Sequence, residues 1–172
     1  MSYLALACRA MLVAVFVVSF VSKVRGRAAY ADFRRSVVEW QVLPARWSGP
    51  AAAGAVAGEV VVVLLLALLW TAPVGFVAAA IVLAAFTFGI VSAVRRGRVT
   101  SCRCFGASTA TIGPAHVVRN GLLVVVCAAG VVGEASATGS PSVGGAALAL
   151  SAAAIGVLFV VRFDDVVALT RT

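Results

Sequence analysis

The sequence predicts an all-α fold: a polytopic membrane bundle of five crossing helices, with one further amphipathic helix at the interface. Three observations carry this. Hydrophobic residues make up 63% of the 172-residue chain and charged residues 12%, against roughly half and a quarter in a soluble domain. The apolar residues fall in long blocks, which is how hydrocarbon-crossing helices read. The connections between blocks are polar, and the basic ones fall on one side of the bundle. A net charge of +8 would point to nucleic acid in a soluble protein. Here it marks loops that set topology and meet anionic headgroups, so the expected partner is the lipid bilayer and not nucleic acid.

The first block runs from about Tyr3 to Ser22. Its positive charges, Lys23, Arg25 and Arg27, follow the block instead of preceding it, unlike those of a signal peptide. It reads as a retained first span. Residues 23–50 form a basic connection in which Tyr30, Phe33, Val37, Trp40 and Leu43 recur at helical spacing. A helix over about 29–43 with its apolar face toward the bilayer follows, ended by Pro44. Trp40 and Trp47 suit the interface. Residues 51–94 are apolar almost throughout, about twice the ~20 residues of one crossing. Thr71-Ala72-Pro73 divides them into antiparallel spans at about 51–71 and 74–94. A second basic loop, 95–114, ends in Gly113-Pro114, and proline is favoured at a first helical position. The fourth span covers about 115–132. A small polar loop then leads to a fifth span at about 143–163 and a short tail. The abundant Ala, Gly and Ser in every span allow close helix packing.

With five spans, the 23–50 loop, the 95–114 loop and the C-terminus share one side, and so do nearly all the basic residues; only Arg9 falls near the other side. The positive-inside bias puts that side in the cytoplasm, for a chain expected in the plasma (inner) membrane.

Chemistry concentrates in Cys102-Arg103-Cys104-Phe105-Gly106. Two cysteines one residue apart close only a small, strained ring, and strained disulfides exchange readily. Arg103, with Arg95, Arg96 and Arg98 nearby, favours thiolate over thiol. The plainer alternative is two incidental small residues in a loop. A zinc clip lacks ligands, and the single histidine, His116, excludes a histidine-rich metal site. By helical rise, Cys8 lies ~21 Å and Cys127 ~18 Å from the inner ends of their spans. They share a depth suited to a second thiol pair, or serve simply as small buried hydrophobes. Glu59 stands within the second span, where a carboxylate needs a partner. Arg119 enters the fourth span from the same face and is the expected one, with Asn120 and His116 close by. The arrangement reads either as a polar site that moves protons beneath the cysteines or as an ion pair fixing helix register. Lys23 is read as a snorkelling lysine.

These residues give the chain a resemblance to the methylamine-utilisation MauE family, within the DoxX-like group of small membrane proteins. The matching features are the run Val15 to Lys23, Glu59, the Cys102-Arg103-Cys104-Phe105-Gly106 segment and Val118-Arg119-Asn120, over about residues 8–133. The family usually has glycine between the cysteines, where this chain has Arg103. The resemblance implies a four-helix core over residues 1–133, with loop, fifth span and tail over 134–172 as an addition. It also implies a redox-associated membrane protein that assists maturation of a disulfide-rich extracytoplasmic partner beside a thioredoxin-like protein.

The leading expectation is therefore support of thiol–disulfide exchange, or of partner maturation, through Cys102 and Cys104. Arg103, Glu59, Arg119, Asn120 and His116 would be the supporting polar site. Two rivals are a non-enzymatic assembly or chaperone subunit and a small-solute carrier protonated at Glu59. No established cofactor motif is present, which leaves quinone involvement open, as it does oligomeric state and the direction of electron flow.

Overall fold

A computed structural model describes residues 2–97, 114–136 and 142–163. All elements among the described residues are helical: α1 (Tyr3–Val24), α2 (Arg27–Glu39), α3 (Ala45–Ala67), α4 (Ala72–Arg95), α5 (Pro114–Ala135) and α6 (Val143–Val161). Five of them, all but α2, are long and apolar enough to cross a membrane. The chain is a multipass helical bundle, as its composition predicts.

The helices α1, α3, α4 and α5 form a closed ring of neighbours, α1 against α3, α3 against α4, α4 against α5 and α5 against α1. α6 packs on the outside of this ring, against α1. The ring encloses one apolar cluster that includes Leu12, Phe16, Leu66, Phe76, Leu83 and Leu123. Outward-facing residues such as Leu64, Ile81, Val125 and Leu148 stay exposed, as expected where lipid supplies the apolar surroundings.

The end of the bundle that holds the N-terminus is tied by side chains. Ser2 Oγ caps α1 by accepting from Ala5 N at 3.1 Å and donates to Gly133 O at 2.8 Å. Tyr3 Oη shares a hydrogen bond with Ser142 Oγ at 3.0 Å and accepts from Ser142 N at 3.1 Å, joining α1 to the start of α6. The end of α3 sits here too. Arg9 Nε donates to Leu66 O and Arg9 Nη2 to Ala67 O, while Thr71 Oγ1 donates to Leu65 O at 2.7 Å. These donors take up carbonyls that would otherwise be orphaned at a helix end. They also explain why α3 stops at Ala67 and does not run on to Thr71: Leu68 turns to an extended conformation once the last carbonyls have other partners. Arg9, the one basic residue expected away from the others, is a helix cap.

At its start α3 differs from the sequence expectation by a turn and a half, beginning at Ala45 and carrying Pro50 inside it. Pro50 is the sixth residue of α3, in its second turn, where its missing N–H removes an intrahelical bond although its fixed φ suits the helix. α2 ends at Glu39, earlier than expected, because Gln41 takes a left-handed φ of 49°. Arg96, just beyond α4, donates to Gln41 O and pins that turn to the end of α4. Trp47 is exposed as an interfacial tryptophan should be, but Trp40 is only 6% exposed and packs with Ile90 and Ala93. The apolar face of α2 thus reaches into the bundle instead of lying only in the headgroups.

Small residues set the helix spacing. A Cβ built on Gly130 of α5 would lie 2.3 Å from the ring of Phe76 on α4, and Phe76 is fully buried with no room to withdraw. Gly130→Val is expected to cost at least the 1–3 kcal/mol typical of core overpacking, read as a lower melting temperature of the detergent-solubilised chain. Gly54→Ala, which meets nothing within 4 Å, serves as the tolerated control; an equal melting point for the two variants would refute the close α4–α5 contact.

Candidate functional site

The polar centre of the bundle is assembled from α1 and α3, with α4 and α5 closing it. Ser19 and Lys23 are four residues apart on α1 and so share one face of it. Across from them on α3 stands Glu59, about four turns into that helix. Lys23 Nζ and Glu59 Oε1 form an ion pair at 2.7 Å, with side-chain exposures of 0% and 1%. Ser19 Oγ donates to the same oxygen at 2.7 Å and accepts from Lys23 Nζ at 2.6 Å. Lys23 Nζ also donates to the Ser19 backbone carbonyl at 3.3 Å. The ammonium lies over two aromatic rings, 5.2 Å from the centroid of Phe33 and 5.5 Å from that of Phe86, which adds cation–π attraction.

Two expectations are corrected by this geometry. The cation paired with Glu59 is Lys23, not Arg119. Nor does Lys23 snorkel: its side chain is fully enclosed. Both readings rested on depth along a helix, which says nothing about the direction a side chain faces. The signal that could have found the pair is the i, i+4 relation of Ser19 and Lys23. It puts a hydroxyl and an ammonium on one stripe of an otherwise apolar helix.

Glu59 uses one carboxylate oxygen for all of these bonds. Its other oxygen, Oε2, is buried with no hydrogen-bond partner among the described residues. Glu59 and Ser19 border a cavity of about 20 Å³ that is also lined by Phe16, Leu83, Phe86 and Asn120. That exceeds the roughly 10–15 Å³ that one water needs. Asn120, from the first turns of α5, donates through Nδ2 to Thr87 Oγ1 at 3.2 Å, and Thr87 Oγ1 donates in turn to Leu83 O at 2.7 Å. Asn120 is thereby held on α4 with its amide beside the Glu59 cavity.

His116 and Arg119 lie on the same stripe of α5 as Asn120, by their i, i+3 and i+4 spacing, and both are 2% exposed. The structure thus brings Glu59 and Asn120 to one cavity. It buries His116 and Arg119 at the same end of the bundle, outside that cavity's wall. Cys8 on α1 and Cys127 on α5 both belong to the central apolar cluster as free thiols. Cys102, Arg103 and Cys104 lie outside the described residues, in the segment that joins the end of α4 to the start of α5. Among the described residues no group of three or more His, Cys, Asp or Glu side chains could hold a metal ion.

A protein-family model described as methylamine utilisation protein MauE matches residues 1–133. That stretch covers the four-helix ring with α2 and stops near the end of α5, leaving α6 outside. No curated protein and no solved structure matches the chain.

Breaking a buried pair strands a charge, which costs about 3–5 kcal/mol, whereas replacing both partners with apolar groups is often near neutral. Lys23→Met and Glu59→Leu are each expected to lose stability on that scale. The double variant Lys23→Met/Glu59→Leu should recover most of the loss. Thermal unfolding of the four proteins in one detergent measures the coupling, and additive losses would show that the two charges do not stabilise each other.

Proposed function

The chain belongs to the methylamine utilisation MauE family, and from that premise we propose that it is a membrane redox protein. It supports thiol–disulfide exchange, or maturation of an extracytoplasmic partner, through Cys102 and Cys104. The observation that carries the reading is that a Cys-x-Cys segment precedes, in sequence, the helix end that carries part of a buried polar centre. The segment enters α5 at the end that holds His116, Arg119 and Asn120, and Asn120 lines the cavity of the Lys23–Glu59 pair. Cys102 and Cys104 are the exchanging thiols. Closing their disulfide releases two electrons and two protons to an oxidising partner, for which a thioredoxin-like protein is the candidate. Arg103 favours the thiolate. Glu59, held by Lys23 and Ser19 through one oxygen, keeps the other for a proton or a water.

The carrier reading draws no support from the cavity at Glu59, which has room for about one water and none for a larger solute. The excess of basic residues on the side of the 95–114 segment favours a cytoplasmic Cys-x-Cys in the plasma membrane. Service to an extracytoplasmic partner would then require electrons to cross the bundle, with the Cys8 and Cys127 thiols as an intermediate pair.

Quantitative thiol trapping tests the reading. In a Cys8→Ser/Cys127→Ser background, where Cys102 and Cys104 are the remaining thiols, the pair should shift from reduced to oxidised over graded glutathione buffers. Replacing Arg103 by Gly should move the midpoint. Two thiols that stay alkylatable where ordinary Cys-x-Cys peptides oxidise would end the proposal. So would a Cys102→Ser/Cys104→Ser chain that supports partner maturation in full.

A further inference from the structure

Cys8 on α1 and Cys127 on α5 are the free thiols among the described residues, and both belong to the central apolar cluster. Their helices pack side by side, and the register between them is set at both ends. At one end Ser2 Oγ, which caps α1, donates to Gly133 O near the close of α5. At the other, Ser19 of α1 and Asn120 of α5 border the small cavity at Glu59. The two helices therefore run antiparallel. Cys8 lies six residues beyond Ser2, and Cys127 lies six residues before Gly133. At ~1.5 Å per residue both stand ~9 Å in from the same tie, and so at one depth.

Direction and spacing agree with depth. Cys8 shares a face of α1 with Ala5 and Leu12 by i, i+3 and i+4 spacing, and all three are buried. Cys127 shares a face of α5 with the buried Leu123 in the same way. A disulfide needs Cα atoms about 4.4–6.8 Å apart, which two helices offer only at a close approach. Gly133 supplies one: a Cβ there would lie 2.9 Å from Ala5 N and 3.3 Å from Ala5 Cα, so the backbones touch one turn from Cys8. The other buried members of the cluster are Ala, Val, Leu and Phe. A neutral disulfide fits among them, whereas a charged group would have to leave its water behind.

We propose that Cys8 and Cys127 are an oxidation site that closes to a disulfide between α1 and α5, with a lipid-soluble organic hydroperoxide as the oxidant. One thiol sulfur attacks the outer oxygen of the hydroperoxide. The O–O bond breaks, an S–O bond forms, and the thiol proton leaves on the alkoxide as an alcohol. The second thiol then attacks that sulfur. The S–S bond forms, the S–O bond breaks, and the departing hydroxide takes the second proton as water. Two thiols lose two electrons in all, and one hydroperoxide becomes one alcohol and one water. The apolar walls select an uncharged oxidant that partitions into lipid. The new bond ties the α1–α5 contact that closes the four-helix ring. This gives the second thiol pair of the proposed function a chemistry of its own, which does not depend on Cys102 and Cys104.

The test uses the full chain carrying Cys102→Ser/Cys104→Ser, where Cys8 and Cys127 are the remaining thiols, so its failure is distinct from failure of the Cys-x-Cys reading. In nanodiscs of saturated phosphatidylcholine the chain is treated with cumene hydroperoxide, denatured and alkylated. Both thiols should disappear together, in a monomer lighter by two hydrogen atoms, and return on reduction. The melting temperature should rise on oxidation and fall back on reduction, since the cross-link restricts the unfolded chain. Oxidised glutathione should leave both thiols free. Cys127→Ser/Ala128→Cys keeps the second thiol near the same depth but moves it to an exposed position on α5. With an unoxidised melting temperature close to the parent's, it should close at least about tenfold more slowly. Closure as fast in this displaced variant, thiols lost singly as sulfinic acids, or cross-links between two chains would overturn the site. Equal closure by oxidised glutathione would overturn the choice of a lipid-soluble oxidant.

Discussion

Lys23 and Glu59 are two opposite charges held away from both water and lipid, and the rest of the bundle is arranged around keeping them so. Neither charge alone could be buried there, since an isolated ion in a low-dielectric interior neutralises or drags in water. Together at 2.7 Å, with Ser19 bridging them, they are tolerated. The pair also fixes the rotation of α1 against α3: turning either helix by one residue would swing a charge toward lipid. α1, which packs on α3, α5 and α6, is consequently the helix whose orientation decides most of the others.

The same economy governs the helix ends. Backbone carbonyls left over at a helix terminus cannot be abandoned near hydrocarbon. At the end of α3 they are met by side chains from α1 and from the following turn, Arg9 and Thr71. At the N-terminal end of the bundle Ser2 and Tyr3 do comparable work toward α5 and α6. The cluster of leucines and phenylalanines between these ties supplies volume and close packing. The polar contacts at the ends and centre supply direction.

Much of this architecture is legible in the sequence, because hydrocarbon thickness demands long apolar blocks and leaves little ambiguity about where helices cross. The spans at residues 3–22, 74–94 and 143–163 lie within a few residues of α1, α4 and α6. The start of α3 is less legible, since Arg46, Ser48 and Pro50 look like loop until the helix is seen to project beyond the apolar block. Residue direction is less legible still. Depth rules placed Trp40 in the interface, Lys23 at the surface and Arg119 opposite Glu59. Each reading fails on the angle about the helix axis, which depends on packing between elements far apart in sequence. Glu59, Asn120, His116 and Arg119 were found because polar groups inside apolar spans stand out by type. Which of them touch was not readable. The Cys102-Arg103-Cys104 segment is a matter of sequence alone here, because it lies outside the described residues.

The buried pair leaves one hydrogen-bonding position unfilled among the described residues. A buried ion pair that serves only stability does best when every lone pair is satisfied, and apolar substitution would often serve that end as well. Glu59 instead gathers Lys23 and Ser19 on one oxygen and leaves Oε2 facing no donor among the described residues, beside a cavity sized for a water and bordered by the amide of Asn120. A carboxylate in that state keeps one oxygen for a water while Lys23 and Ser19 hold the other. Phe86 lines this cavity and also a larger one between α2, α3 and α4. A single ring therefore stands between the Glu59 carboxylate and a space open to the membrane. That juxtaposition comes from the packing of α4 between α3 and α5, which is why the chemistry of this chain is better sought in its helix contacts than in any one helix.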